Sequence, residues 1–280
     1  MVINITTLSE NTVAAPFLLA EWGLSILVET DEVNILLDTG ASNVSATHNA
    51  DSLGIDLSKV DKIVISHGHF DHTGGLQRVL QLMRKEVEII AHPDMWAAKY
   101  ARRRGDVKNY CGIPFQRDLL ESLGARFSLT KEPTRISDNI MTTGEVPMVT
   151  DFEEIEPNRF FVKEGSGWQP DKLLDDQAII INSEPGLVVL LGCAHHGIIN
   201  TLYHARQITG VKQIHMVMGG CHLVGASEER VLSTVAALKE LDVQKVGVSH
   251  CTGMPASVIM AQELGDRFFF NNAGTRTSLA

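Results

Sequence analysis

The sequence predicts one α/β domain, spanning 1–280, with two sheets and helices on their outer faces. Three observations carry this. Short apolar, strand-like runs alternate with amphipathic stretches along most of the chain. Hairpin signals mix with strand–helix units, and no linker divides the 280 residues. With 44% hydrophobic residues, the chain can also bury a full core.

The elements follow in order. The first forty residues read as strands, with Leu24–Val28 and Val33–Leu37 flanking the polar turn Thr30-Asp31-Glu32 as a hairpin. Lys62–Ile65 is a strand. Leu76, Val79, Leu80 and Met83 then fall at i, i+3, i+4, i+7, one face of a helix. Val87–Ala91 is a further strand. Pro93-Asp94 opens a helix that Arg102-Arg103-Arg104 and Gly105 close. From about Cys111 to Asp176, Pro, Gly and mixed charge leave weak strand signals, so the region around 95–176 reads as loop-rich material that could act as a lid. The strand–helix rhythm resumes with strands at Ala178–Ile181 and Leu187–Leu191 and a helix at Asn200–Ile208. Ile214–Met218 is a strand, and Ser227 caps a helix striped by Val231, Val235 and Leu238. Strand Val246–Val248 and helix Pro255–Leu264 complete the set.

Composition narrows the function classes. A net charge of −10 argues against a nucleic-acid or membrane-surface binder, which needs a broad basic face. No apolar run approaches a membrane span. No basic n-region precedes Ala14–Val28, which Glu21 interrupts, so no secretory signal is expected and a cytoplasmic protein is the default. Disulfides among the four cysteines are therefore not expected.

The chemistry concentrates in Ser66–Gly75. His67, His69, Asp71 and His72 place three imidazoles and a carboxylate within six positions, directly after a strand. These are the donor types that a borderline-soft cation such as zinc takes. Later strand ends add histidines singly or in pairs: His195-His196 after Leu191-Gly192-Cys193, His222 after Gly219-Gly220-Cys221, and His250 after Val248-Ser249. Seven of eleven histidines lie in these four segments.

His67-Gly68-His69-Phe70-Asp71-His72, with Asp38-Thr39-Gly40 upstream and single histidines at later strand ends, resembles the metallo-β-lactamase superfamily. Asp71–Leu76, Gly192–Asn200, Gly219–Leu223 and His250–Gly253 look like its branch of metal-dependent hydrolases that includes dihydropterin-type ribofuranosylaminobenzene phosphate synthases. The resemblance implies an αββα four-layer sandwich with metals at one edge between the sheets. It implies that His67, His69 and His195 hold one metal and Asp71, His72 and His250 the second. The cofactor would be zinc, two ions per chain, with manganese or iron as alternatives. A hydroxide between the metals would be the nucleophile. Asp38 would orient a ligand histidine, and His196 would form pocket wall. Many members place a bridging aspartate where this chain has Gly219-Gly220-Cys221-His222. No carboxylate is available there, so His222 is a candidate ligand or substrate-polarising residue, and Asp71 and His222 are the catalytic candidates.

Each remaining feature has a plain rival. The cysteines read as small buried hydrophobes, against the sharper reading that Cys221 reaches the metal. His48, His92, His204 and His215 read as structural. Asp175-Asp176, before a strand, reads as turn chemistry, with a carboxylate that supports a ligand residue as the rival. Lys99–Lys108 reads as a solvated helix end, with an anion clamp as the rival. Trp96, Tyr100 and Trp168 read either as core or as pocket lining.

The leading expectation is a metal-dependent hydrolase of a phosphoester, lactone or similar small molecule, which could be anionic. Two alternatives stand beside it: a metal-assisted carbon–nitrogen condensation of the dihydropterin-synthase type, and a metal-stabilised binding module without turnover.

Overall fold

The computed structural model describes residues 2–102 and 108–279. The chain runs β1 (Ile3–Ser9), β2 (Ser25–Thr30), β3 (Asn34–Leu37), α1 (Ser45–Ser52), β4 (Lys62–Val64), α2 (Phe70–Thr73), α3 (Leu76–Met83) and β5 (Val87–Ala91). There follow β6 (Lys99–Arg102), β7 (Lys108–Tyr110), α4 (Arg117–Ser122), β8 (Ala125–Leu129), β9 (Ile140–Thr142), β10 (Phe160–Glu164) and β11 (Gly167–Pro170). The last part holds β12 (Ala178–Ser183), β13 (Gly186–Leu191), α5 (Ile198–Thr209), β14 (Ile214–Gly220), α6 (Glu228–Glu240), β15 (Lys245–Ser249), α7 (Met254–Leu264), β16 (Phe268–Phe270) and β17 (Arg276–Leu279).

Two large sheets face each other. One is ordered β17-β1-β2-β3-β4-β5-β8 and the other β16-β15-β14-β13-β12-β9. The period-two alternation of a strand sorts their side chains into layers. Ile26, Val28, Ile35 and Leu37 of the first sheet meet Ile179, Ile181, Val188 and Met218 of the second in a core between the sheets. Leu27, Leu36 and Ile63 point the other way, onto Ala46 and Ala50 of α1 and the Leu76, Val79, Leu80, Met83 stripe of α3. On the far side Val189, Val217 and Val246 pack on Leu202, Val235 and Met260 of α5, α6 and α7. This is the four-layer αββα sandwich that the resemblance implied. The hairpin pairs Glu29 with Asn34 across its turn, and Ser227 accepts the Arg230 backbone N–H as an N-cap.

One expectation fails between 93 and 176, and another gains detail. Pro93 opens only a short 3₁₀ turn, Pro93–Trp96, which the His92 ring caps by accepting Asp94 N–H. The chain then runs extended into β6, which buries Lys99 between two carboxylates instead of exposing it on a helix. The expected stop signals Arg103, Arg104 and Gly105 lie outside the described residues. The region read as loop-rich is mostly loop among its described residues, but it also carries the short elements β6 to β11 and α4, and β6, β7, β10 and β11 form a separate sheet, ordered β11-β10-β6-β7. Its strands are short, and β11 is exposed throughout, so they lack the apolar alternation by which a strand is read from sequence. No helix among the described residues is long and apolar enough to cross a membrane.

Candidate metal centre

Parallel strands β3, β4 and β5 end together on one edge, and the turn after β4 carries the histidine-rich run. A buried polar frame holds this turn. Asp38, just past β3, accepts Ser66 N–H at 2.7 Å and Ser66 Oγ at 2.6 Å, and lies 2.6 Å from His72 Nδ1. With Nδ1 so engaged, His72 presents Nε2, 3.1 Å from Cys193 Sγ. On the other flank Asp175 accepts Gly68 N–H at 2.8 Å and binds Lys99 Nζ at 2.9 Å, while Asp171 takes the same ammonium at 2.9 Å. Gln177 donates to Ile65 O from its side chain. Gly68 has no room for a Cβ, which would meet Met95 O at 2.3 Å.

The other sheet supplies its imidazoles from three parallel strands. β13 leads to His195, β14 to His222 and β15 to His250. Each loop contains a non-glycine residue at positive φ: Ala194 at 50°, His222 at 45° and His250 at 52°. His250 Nδ1 lies 3.0 Å from Asn11 Oδ1, and the His250 backbone N–H donates to the Glu10 carboxylate. Its Nε2 faces Asp71 at 3.4 Å, short of a formed hydrogen bond. Asp71 also accepts Trp22 Nε1–H at 3.1 Å.

The imidazoles converge. His67 Nε2 lies 2.9 Å from His69 Nδ1 and 3.3 Å from His195 Nε2. Donor atoms of His67, His69 and His195 all fall within 4.8 Å of one another, as do those of Asp71, His72 and His250. Burial pushes His67 and His195 well below the ordinary imidazole range and His69 to about 3, so these three rings are neutral, the form that ligates metal. Burial also works against charge on His72, but the adjacent Asp38 outweighs it and raises the pKa to about 9, a proton that a metal would displace. Burial raises Asp71, yet His250 and His72 overcome it and hold the carboxyl well below its usual range. His69 Nε2 and His250 Nε2 are buried without a hydrogen-bond partner among the described residues. Such donors fit a cation far better than they fit one another.

A cavity of about 140 Å³ opens on this cluster, lined by Trp22, Asp71, Arg102, Tyr110, Phe160 and His222 among others. A second, of about 410 Å³, shares His195 and His222 and adds Glu156 and Arg230. His222 thus stands between them, with Nε2 3.6 Å from Glu156 Oε1. Burial opposes its charge, while Cys251 and Glu156 lift its pKa to about 9.

Several expectations are corrected by these positions. Cys221 does not reach the cluster: it sits in the core under the helices, and burial pushes its thiol up to about 12. The sulfurs against the imidazoles are those of Cys193, 3.1 Å from His72 Nε2, and of Cys251, which groups with His250. His196 is not pocket wall, for its ring nitrogens lie against the carbonyl oxygens of Val146 and Lys172. Asp175 and Asp176 are not turn chemistry alone. Asp175 fixes Gly68, and Asp176 accepts His196 N–H. Lys99 is wholly buried. Trp96 packs edge-on against Phe127, and Tyr100 against Trp168, and the pocket aromatics include Trp22, Tyr110 and Phe160 instead. His48, His92 and His204 bind Phe17 O, Glu145 and Thr143 O in structural roles. Sequence reading missed Glu10, Asn11 and Trp22; the only signal was that Glu10-Asn11 follow the end of β1 as Asp38 follows β3.

The chain is similar to several known proteins. Residues 23–135 match the metallo-β-lactamase superfamily. The chain is 32% identical, over 97% of its length and 95% of the relative's, to the 7,8-dihydropterin-6-methyl-4-(β-D-ribofuranosyl)-aminobenzene-5'-phosphate synthase of Methanocaldococcus jannaschii. The crystal structure of Tm1679, a metal-dependent hydrolase of the β-lactamase superfamily, superposes with a TM-score of 0.85 at 28% identity, covering 99% of both chains. A diphosphatase of the PhnP family shares the fold alone, with a TM-score of 0.55 at 14% identity over 100% of this chain and 98% of that one.

Proposed function

The chain belongs to the metallo-β-lactamase superfamily, and from that premise we propose that it is a metal-dependent hydrolase of an anionic small molecule carrying a phosphoester or lactone-like electrophile. The observation that supports this best is the abutment of two buried donor sets, His67/His69/His195 and Asp71/His72/His250, on one cavity. Each set would hold one divalent cation, zinc by its donor types, with manganese or iron as alternatives. When bound, such cations supply Lewis acidity and lower the pKa of water.

The chain's own residues do the rest. Asp38 and Asn11 each engage a Nδ1, so that the Nε2 atom of His72 faces Cys193 and that of His250 faces Asp71. His222, backed by Glu156, is placed to give a proton to a leaving oxygen. Arg102 and Arg159 bring positive charge to the cavity wall, the complement of an anionic group.

His67→Ala and Asp71→Ala should each lose bound metal, read by elemental analysis, and turnover together. Turnover that survives in metal-free variants would sink the reading. A second reading, condensation of a dihydropterin electrophile with an aryl amine phosphate, is favoured by the relative at 32% identity and by Trp22, Tyr110 and Phe160, flat surfaces on which rings could stack. Metal-replete protein should be offered a phosphoester and lactone panel in ¹⁸O-water and, separately, the pterin and amine pair. Product carrying ¹⁸O supports hydrolysis, whereas a carbon–nitrogen product alone supports condensation.

A further inference from the structure

We propose that the thiolate of Cys193 bridges the two metal positions, standing in for the carboxylate that the strand end at Gly219-Gly220 lacks. The inference rests on the two-metal reading above.

Cys193 is the sulfur common to both positions. Its Sγ groups within 4.8 Å with the donor atoms of His67 and His72, of His195 and His222, and of His250 and Cys251. These partners span both donor sets, and Cys193 takes part in three of the five candidate groups among the described residues. It is buried, and its nearest imidazole is His72 Nε2 at 3.1 Å, the atom that Asp38 leaves free to ligate.

The end of β14 has no room for a side chain that could supply the missing carboxylate. A Cβ built on Gly220 would meet Cys251 Sγ at 2.6 Å and Cys193 Cα at 3.3 Å. The Cys251 sulfur and the backbone of Gly192 and Cys193 therefore fill the volume that a side chain at Gly220 would need. Cys251 lies beside this position, with its Sγ 3.6 Å from Cys193 O and 3.3 Å from the His222 backbone nitrogen. Cys221 continues the odd-numbered face of β14, with Val217, towards the helices.

The dimensions suit a bridge. Metal–sulfur bonds of about 2.3 Å let one sulfur reach two cations roughly 3.5–4 Å apart. As the metal–sulfur bonds form, the thiol gives its proton to solvent. A thiolate bridge tilts selectivity towards zinc, iron or cobalt and away from harder cations such as magnesium.

The test uses cobalt(II) alone on metal-depleted full-length protein. Wild type should take up two cobalt ions per chain with a thiolate-to-cobalt charge-transfer band in the near ultraviolet. Cobalt X-ray absorption should show about one sulfur per cobalt, as a bridge requires; a terminal cysteine gives half that, and this measurement needs no variant. Cys193→Ser should lose the band, keep the first cobalt and weaken the second by more than the roughly 10–100-fold that loss of an outer partner costs. Cys221→Ser and Cys251→Ser should keep the band. Two cobalts without a band, half a sulfur per cobalt, or a band that follows Cys251 or Cys221 overturns the bridge while the two-metal reading stands. One cobalt per chain or none overturns both.

Discussion

The two halves of the sandwich bring imidazoles to the same edge by different means. After β4, four donors crowd into one turn, and a buried ionic frame clamps that turn from both flanks: Asp38 on Ser66 and His72, and Asp175 with Lys99 on Gly68. In the second half each strand delivers its histidine through a loop with a left-handed, non-glycine residue, Ala194, His222 or His250. A short loop between parallel strand and helix can hold one donor by backbone geometry alone, at roughly 1–3 kcal/mol of strain per residue. Four donors in six residues repel and compete, and need external charge to fix them. The first half should therefore depend on ionic partners and the second on backbone conformation.

The sharpest way to break this contrast is Lys99→Met. The substitution leaves Asp171 and Asp175 buried without their cation and should cost about 3–5 kcal/mol, read as a lower denaturant midpoint. Adding Asp171→Asn and Asp175→Asn should recover much of the loss. The frame also sets a pH window. Burial raises the Asp175 pKa, but Lys99 and the Gly68 N–H lower it more, so the folded value lies below the unfolded one of about 3.9. Its contribution is present above that pH and is lost as pH falls through the folded value. For Lys99 burial lowers the pKa, but the two aspartates raise it above the unfolded value of about 10.4. That contribution is full below about 10.4 and is lost as pH rises through the folded value. The stability gap between wild type and Lys99→Met should be flat between these limits and narrow in acid. A gap that is small throughout means the turn holds without its frame.

The residues on which this contrast turns were unequally legible in the sequence. The ligand-bearing turn shows because its donors are adjacent, and the sheets show because apolar runs are local. Lys99 was misread because a proline before it and three arginines after it imitate a helix with a basic end. Its real partners lie 72 and 76 residues away, and no local pattern marks them. Cys193 and Cys221 each stand shortly before a histidine, so adjacency could not separate them. Strand parity could have done so for Cys221, because Val217 and Cys221 fall on one face of β14 and that face packs on helices. Cys193 lies beyond the end of β13, where parity no longer applies.

A smaller effect is expected from Asp38→Asn. The variant keeps the shape but weakens the hold on His72 Nδ1, and loss of such a partner typically lowers metal affinity about 10–100-fold. Competition with a chelator measures it. The contrast is sharpened by Asn11→Ala, which removes the equivalent partner of His250. If backbone conformation carries the second half, this loss should fall at or below the low end of that range. Equal losses from both variants would mean that side-chain partners position the histidines alike in the two halves.

The smallest effect, and the most direct probe of the second half, is Ala194→Gly. Alanine at φ 50° carries about 1–2 kcal/mol of left-handed strain that glycine does not. Against this, the Ala194 methyl is buried in the helix-side core, worth about 0.8 kcal/mol, and glycine adds about 0.4–1 kcal/mol of unfolded-chain entropy. The terms nearly cancel, so stability should stay within about 1 kcal/mol of wild type, with metal affinity held because the loop keeps its path to His195. A loss well beyond that in chemical denaturation would show that packing, not backbone conformation, aims His195. The second half would then be clamped by its surroundings as firmly as the first.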